Sequence, residues 1–206
     1  MLSDKLFRFT KSGRLKSALF QEQLDYVNDT ADIVPAVCTR RAGKSVAGFA
    51  SLYLAGMNYP DSVLPYITLT RKSCKNIIWP VMQEQNKKHN LGIEFKSADL
   101  EAVLPNGARI ILYGADTEAF IERLLGGKYP EVVIDEAQAF GPHLERLVFD
   151  VLQPATMDYN GTIRLQGTPG PIPHRFRQFE TLFAALGQAE PVLSRPINFS
   201  NWRKTE

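Results

Sequence analysis

Val37-Cys38-Thr39-Arg40-Arg41-Ala42-Gly43-Lys44-Ser45 is the stretch whose reading decides the fold. The apolar run Ile33 to Val37 leads into it, and a helix-compatible segment, Val46 to Met57, leads out. A strand, a short polar turn and a helix start, in that order, make a phosphate-binding loop. Backbone N–H groups and the positive end of the helix converge there on anionic oxygens. In such a loop Arg41, Ala42, Gly43, Lys44 and Ser45 line the phosphates, with Lys44 reaching the β and γ groups and Ser45 holding Mg²⁺. The pattern G-x-x-x-x-G-K-[ST] fails at its first position, where Cys38 replaces glycine. Gly43-Lys44-Ser45 alone also fits a plain helix start with a solvated lysine, so the rest of the chain has to separate the two readings.

Downstream, Glu131-Val132-Val133-Ile134-Asp135-Glu136-Ala137 reads as a buried strand that ends in two acids. Its β-branched run suits a central parallel strand. At the C-terminal edge of such a sheet Asp135 would order Mg²⁺ through water and Glu136 would polarise an attacking water. The plainer reading is a strand whose acids open a solvated loop, and pairing with the Gly43-Lys44-Ser45 loop counts against it. A third stretch, Thr162-Ile163-Arg164-Leu165-Gln166-Gly167-Thr168-Pro169-Gly170, is another short apolar strand ending in a turn. Its Thr168 hydroxyl sits where a γ-phosphate would be sensed, with Gly167 and Pro169 fixing the turn.

Together these stretches resemble the ATPase domain of the large terminase subunit of tailed bacteriophages, over a range from about Phe20 to the C-terminus. That family carries a degenerate loop of the Arg-x-x-Gly-Lys-Ser/Thr kind, matched by Arg40 or Arg41 through Ser45, which explains the missing glycine at Cys38. Its strand ending Asp-Glu-Ala is matched by Asp135-Glu136-Ala137, and its Gly-Thr-Pro coupling motif by Gly167-Thr168-Pro169. The resemblance implies a P-loop NTPase of the additional-strand, catalytic-glutamate type, binding ATP and Mg²⁺ and hydrolysing ATP to drive double-stranded DNA into a procapsid. It implies a portal protein and a small terminase subunit as partners, a homo-oligomeric ring when active, and a place in the host cytoplasm and transiently at the portal vertex. An aromatic-Gln pair upstream of the loop contacts adenine in that family, which makes Gln21 the carried-over candidate and Gln23 the reserve. An arginine would neutralise charge on the transferred phosphoryl group. Arg123 offered to a neighbouring subunit, or Arg40 or Arg41 acting in cis, all fit that role.

Length and composition agree with one α/β core. The 206 residues suffice for a single substantial domain, and 44% hydrophobic with 22% charged content is ordinary for a globular protein. A formal charge of +2 sets up no strong field, so nucleic-acid contact can be argued only from local clusters, Arg71-Lys72 with Lys75 and Lys87-Lys88. Two cysteines, Cys38 and Cys74, and three histidines form neither a disulfide framework nor metal-ligand spacing, which points to a reducing compartment. No run approaches the roughly 18 apolar residues of a membrane span, and no signal-like segment opens the chain.

Taken in order, Met1 to Lys16 is a mixed lead-in, and Leu15 to Val27 shows helical spacing with Leu15, Leu19, Leu24 and Val27 on one face. Ala31 to Val37 is the first core strand, although Pro35 lacks a ladder donor, so the strand should begin at Ala36 or bulge. Leu64 to Thr70 is the next strand, with Arg71-Lys72-Ser73 at its edge. A helix opens at Asn76, and Trp79 belongs to its core face. Pro105-Asn106-Gly107 between Glu101–Leu104 and Arg109–Tyr113 reads as a hairpin, since both residues of Asn-Gly can take positive φ, its second arm joining the main sheet. A loop and short helix fill Ala115 to Lys128, and a helix from Pro142 to Leu152 buries Leu144, Leu147, Val148 and Val151.

The expected architecture is a mostly parallel central sheet flanked by helices, with an inserted antiparallel hairpin and the site at the strand C-termini. Residues 1–170 form the ATPase core. Residues 171–206, with a helix over Arg175 to Leu186 and Asn198-Phe199-Ser200-Asn201-Trp202 near the end, form an extension toward a nuclease domain for which the chain has no room, so no nuclease activity is expected. Two other readings stay open: a helicase-like DNA translocase with the same core, and a nucleotide-binding scaffold without turnover.

Overall fold

A computed structural model describes residues 7–9, 15–17, 19–115, 118–141 and 143–168. A two-stranded antiparallel ribbon, β1 (Phe7–Phe9) and β2 (Leu15–Ser17), precedes helix α1 (Gln21–Asn28), strand β3 (Ile33–Val37) and helix α2 (Lys44–Asn58). Strand β4 (Val63–Thr68) and helix α3 (Arg71–His89) follow, then β5 (Glu94–Lys96), β6 (Glu101–Val103) and β7 (Arg109–Gly114). Helix α4 (Glu118–Leu124) leads to β8 (Glu131–Ile134). After short helical turns, among them α5 (His143–Arg146) and α6 (Gln153–Thr156), comes β9 (Thr162–Gly167).

The main sheet has the order β3-β9-β8-β4-β7-β6-β5, parallel from β3 to β7 and antiparallel through β6 and β5. β9, the last of the described strands in sequence, is inserted between the loop strand β3 and the acid-bearing β8. All the parallel strands therefore end at one edge, where open α/β sheets gather ligands.

Period-two alternation assigns the strand side chains to the two faces of the sheet. Val132, Ile134, Ile163 and Leu165 pack with Ile121, Leu124, Leu144, Leu147, Val148 and Val151 on one face. Val133 and Tyr66 pack with Phe49, Leu52 and Tyr53 of α2 and Ile78, Trp79 and Met82 of α3 on the other. α2 lies close to the sheet at Gly48, where a Cβ would come within 2.9 Å of Gln166 Nε2 and 3.2 Å of Val133 Cγ1. Trp79 is a core residue as expected, stacked edge-on to Phe95 with centroids 5.1 Å apart.

Several expectations need correction. The helix read from Leu15 starts only at Gln21, because Leu15 to Ser17 pairs with Phe7 to Phe9. Pro35 neither shortens nor bulges β3: the register with β9 runs unbroken from Ile33 to Val37. Among the described residues β3 is the sheet's outermost strand, and its bonds to β9 fall on Asp32 O and Cys38 N, which leaves the odd-numbered Pro35 nitrogen facing the side away from β9. α3 begins at Arg71 rather than Asn76, with the Thr70 hydroxyl accepting from Ser73 N at 3.1 Å as a cap. It runs through Pro80, where the bond lost to the Asn76 carbonyl falls on an exposed stretch that water can satisfy. In the hairpin only Gly107 has positive φ, +86°. Asn106 instead donates its amide to Gly56 O at 2.9 Å, tying the turn to α2. The helix read over Pro142 to Leu152 is α5 followed by a π-helical turn, Leu147–Leu152, which buries the expected stripe. Pro142, the mixed lead-in read over Met1 to Lys16 apart from β1, Leu15 and Lys16, Pro169, Gly170 and the extension over 171–206 lie outside the described residues.

One buried ion pair, missed in the sequence, holds α1 to the sheet. Arg164, 3% exposed on β9, donates from Nε to Glu131 Oε1 at 3.1 Å and from Nη2 to the carbonyls of Val27 at 3.0 Å and Asp29 at 3.1 Å; Nη1 donates to Tyr26 O. The guanidinium thus caps the C-terminal end of α1, where cations are favoured. Burial pushes the Glu131 carboxyl up and Arg164 opposes it. Arg164→Leu leaves that carboxylate buried without its cation and is expected to cost about 3–5 kcal/mol in urea unfolding. Arg164→Leu combined with Glu131→Leu should recover the part of that loss owed to the unpaired carboxylate, with the carbonyls of Tyr26, Val27 and Asp29 still lacking the guanidinium.

Candidate nucleotide site

The loop between β3 and α2 has the backbone of an anion nest. Arg41 at φ +63° and Gly43 at φ +77° alternate with residues that are not at positive φ, an alternation that favours turning successive N–H groups to one side. Cys38 needs no glycine conformation: it is still extended, its N–H donating to Gly167 O at 3.2 Å as a continuation of β3. Burial pushes the Cys38 thiol up, against the nearby Lys44 charge.

Lys44 opens α2 and folds its ammonium into the loop mouth. It donates to Cys38 O at 3.3 Å, Thr39 O at 3.2 Å and Thr168 Oγ1 at 2.8 Å. Thr168 Oγ1 in turn donates to Glu136 Oε1 at 3.3 Å. Three stretches far apart in the chain, the loop, the end of β8 and the end of β9, are thus joined side chain to side chain.

Asp135 and Glu136 play different parts. Asp135 is 2% exposed; its Oδ2 accepts from the Tyr66 hydroxyl at 2.7 Å and its Oδ1 from Glu136 N at 2.9 Å. Burial holds this carboxyl above its usual range, with the Tyr66 bond acting the other way. Glu136 is half-buried and sits in the left-handed region at φ +52°, ψ +46°, which is rare for a residue with a side chain and aims its carboxylate back at Thr168.

The raised Asp135 titration has a testable sign. Its folded value lies above the unfolded one, so the stability it contributes is present below the unfolded value of about 3.9 and is lost as pH rises through the folded value. Asp135→Asn should raise the thermal midpoint at neutral pH, by about 2–4 °C for each kcal/mol relieved. Wild type should lose stability across that pH window and the variant should lose less, measured by thermal scans at both ends.

Among the described residues no group of three or more His, Cys, Asp or Glu side chains is gathered for a metal ion. A cation here would rest on the Ser45 hydroxyl at the start of α2 and the Asp135 carboxylate. Both are hard oxygen donors of the kind Mg²⁺ takes alongside phosphate oxygens and water.

Around the loop the structure sorts the remaining candidates. Gln23, not Gln21, lies against it: its Nε2 donates to Gly43 O at 2.8 Å and its Oε1 accepts from Phe20 N at 3.2 Å. A Cβ on Gly43 would fall within 2.4 Å of that Nε2. Gln21 is exposed and bonds Asp25 at 2.7 Å. Phe20, Gln23, Tyr26, Gly43, Lys44 and Gln166 line a small pocket behind the loop. Ala42 is buried, and Arg40 and Arg41 are exposed on the loop. Arg123 is exposed in the last turn of α4. Arg71, Lys72 and Lys75 are exposed on the first turns of α3, and Lys87 and Lys88 on its last.

Two residues of the site had no part in the sequence reading. Gln166 Nε2 donates to Lys44 O at 2.9 Å, fixing the first residue of α2 to β9. Gln138, on the turn Ala137–Phe140, donates to Glu136 Oε2 and accepts from Thr168 N at 3.3 Å.

No protein-family profile matches the sequence, and no curated protein does. Solved structures match by fold. The large terminase ATPase domain of Thermus phage P74-26 aligns with a TM-score of 0.61 at 17% identity, over 79% of this chain and 70% of that one. The large terminase of a further thermophilic bacteriophage gives 0.65 at 14% identity, over 82% of this chain and 43% of that one, and other structures of the same protein hold ADP or ATP-gamma-S. The large terminase of bacteriophage HK97 gives 0.64 at 14% identity, over 93% of this chain and 42% of that one. The chain thus spans less than half the length of the last two proteins. At these identities the likeness is one of architecture: the chain has the fold of the large terminase ATPase domains, with a strand added between the loop strand and the acid strand.

Proposed function

We propose that this chain is the ATP-hydrolysing motor domain of a viral large terminase subunit, which couples hydrolysis to movement of double-stranded DNA into a procapsid. The observation that carries the reading is the hydrogen-bonded run Lys44–Thr168–Glu136, which places a phosphate-binding cation, a hydroxyl at a strand end and a carboxylate in direct contact. Nucleotide-bound large terminase structures among the fold matches support the choice of ligand.

On this reading the loop N–H groups and Lys44 hold the triphosphate and stabilise charge as the γ-phosphoryl group is transferred. Glu136 orients the attacking water and accepts its proton. Thr168 exchanges its Lys44 contact for the changing phosphate, so that β9 reports nucleotide state. Mg²⁺, held by Ser45 and Asp135, would neutralise the phosphate oxygens. An arginine completes the site, Arg123 from a neighbouring subunit or Arg40 or Arg41 in cis. The portal protein, the small terminase subunit and a ring of copies are the partners that fit, with the work done in the host cytoplasm at the portal vertex.

Steady-state ATP hydrolysis measured over a wide range of protein concentration tests this. Mg²⁺-dependent turnover that rises more than linearly with protein is the expected result for an arginine supplied by a neighbour; a linear rise assigns the role to Arg40 or Arg41. No binding of ATP at any concentration sinks the reading.

A further inference from the structure

Glu136 is useful only if its carboxylate points at the water, yet its backbone leaves the side chain on a turn with no strand or long helix to hold it. What holds it is Gln138. The amide nitrogen donates to Glu136 Oε2, and the amide oxygen accepts from the Thr168 backbone N–H at 3.3 Å. Thr168 Oγ1 closes the circuit on Glu136 Oε1 at 3.3 Å. The amide can sit only one way round. Reversed, its oxygen would face a carboxylate and its nitrogen an N–H, two repulsions in place of two bonds.

From this closed circuit we infer that Gln138 is the positioning residue for Glu136, and that it ties the aim of that carboxylate to the position of the β9 terminus at Thr168. The inference rests on the ATPase reading above. Because Gln138 holds the backbone of Thr168 while Lys44 holds its hydroxyl, a shift of the β9 end as Lys44 turns to phosphate pulls on Glu136 through the Gln138 amide. The bonds of the Gln138 side chain go to Glu136 and Thr168 rather than to the loop, so nucleotide affinity does not depend on it.

The test uses Gln138→Leu, which removes both bonds at similar size, and Gln138→Glu, which keeps an acceptor for Thr168 N–H but sets a second carboxylate against Glu136. Both are expected to lower kcat at least about tenfold with KM for ATP within about twofold, the split that marks loss of a transition-state interaction. In a Glu136→Gln background neither should lower kcat further, since residues acting as one unit are non-additive. The same split is read without turnover as weaker binding of ADP with aluminium fluoride and Mg²⁺, at unchanged affinity for ADP. Losses that add to that of Glu136→Gln, or wild-type behaviour of Gln138→Glu, overturn the inference and leave the ATPase reading standing. Wild-type protein that neither binds nor hydrolyses nucleotide overturns both.

Discussion

Lys44→Ala is expected to lower kcat/KM for ATP by about 10²–10³-fold or more, the scale of removing one positioned donor from a developing oxyanion. The charge is the reason for the upper end. The ammonium sits at the one point where the loop carbonyls of Cys38 and Thr39 and the hydroxyl of Thr168 all reach it, at 2.8–3.3 Å. In the variant those acceptors are left to water, which the half-buried mouth admits, so the thermal midpoint should barely move. Loss of turnover with an intact melt identifies Lys44 as part of the chemistry. Retained turnover would mean that the loop is a plain helix start with a lysine folded back on it, and the nucleotide site would have to lie elsewhere.

The fold was legible because the sequence repeats one physical statement several times. Ile33–Val37, Val63–Thr68 and Glu131–Ile134 are short apolar runs whose ends carry turn-forming or polar residues, the pattern of parallel strands buried on both faces. β9 was legible as a strand but not in its polar content. Arg164 and Gln166 alternate with Ile163 and Leu165, and on a central strand with both faces covered that alternation requires buried partners. The partners, Glu131, the end of α1 and Lys44 O, are remote in sequence, so the requirement was readable and its solution was not. The same distance hid Gln23. Only the fold shows that the third residue of α1, rather than the first, meets Gly43, because Gln23 also reaches back to Phe20 N and so faces inward. Local turn chemistry misled where tertiary contact outweighed it: Asn106 bonds α2 rather than taking positive φ.

Glu136→Gln should separate a motor from a scaffold. The amide preserves size and its oxygen can still accept from Thr168 Oγ1, so the Lys44–Thr168 contact and the loop are expected to stand, while the bond from Gln138 is lost because the new amide nitrogen faces another donor. It cannot accept a proton from water, and kcat is expected to fall by about 10²–10⁴-fold, the range for losing a general base. ATP binding should persist, because the groups that meet the phosphates are on the loop and α2, not on the turn after β8. The variant should therefore hold ATP unhydrolysed, measured as bound triphosphate after gel filtration, while wild type returns ADP. Equal turnover in both proteins would remove Glu136 from the chemistry and leave its strained φ of +52° and its bonds to Thr168 and Gln138 as a structural latch. A protein that only bound nucleotide would have no need to hold a second acid beside Asp135 at that conformational cost, about 1–3 kcal/mol for a residue in a sparsely populated region. That cost is the physical argument for expecting the loss.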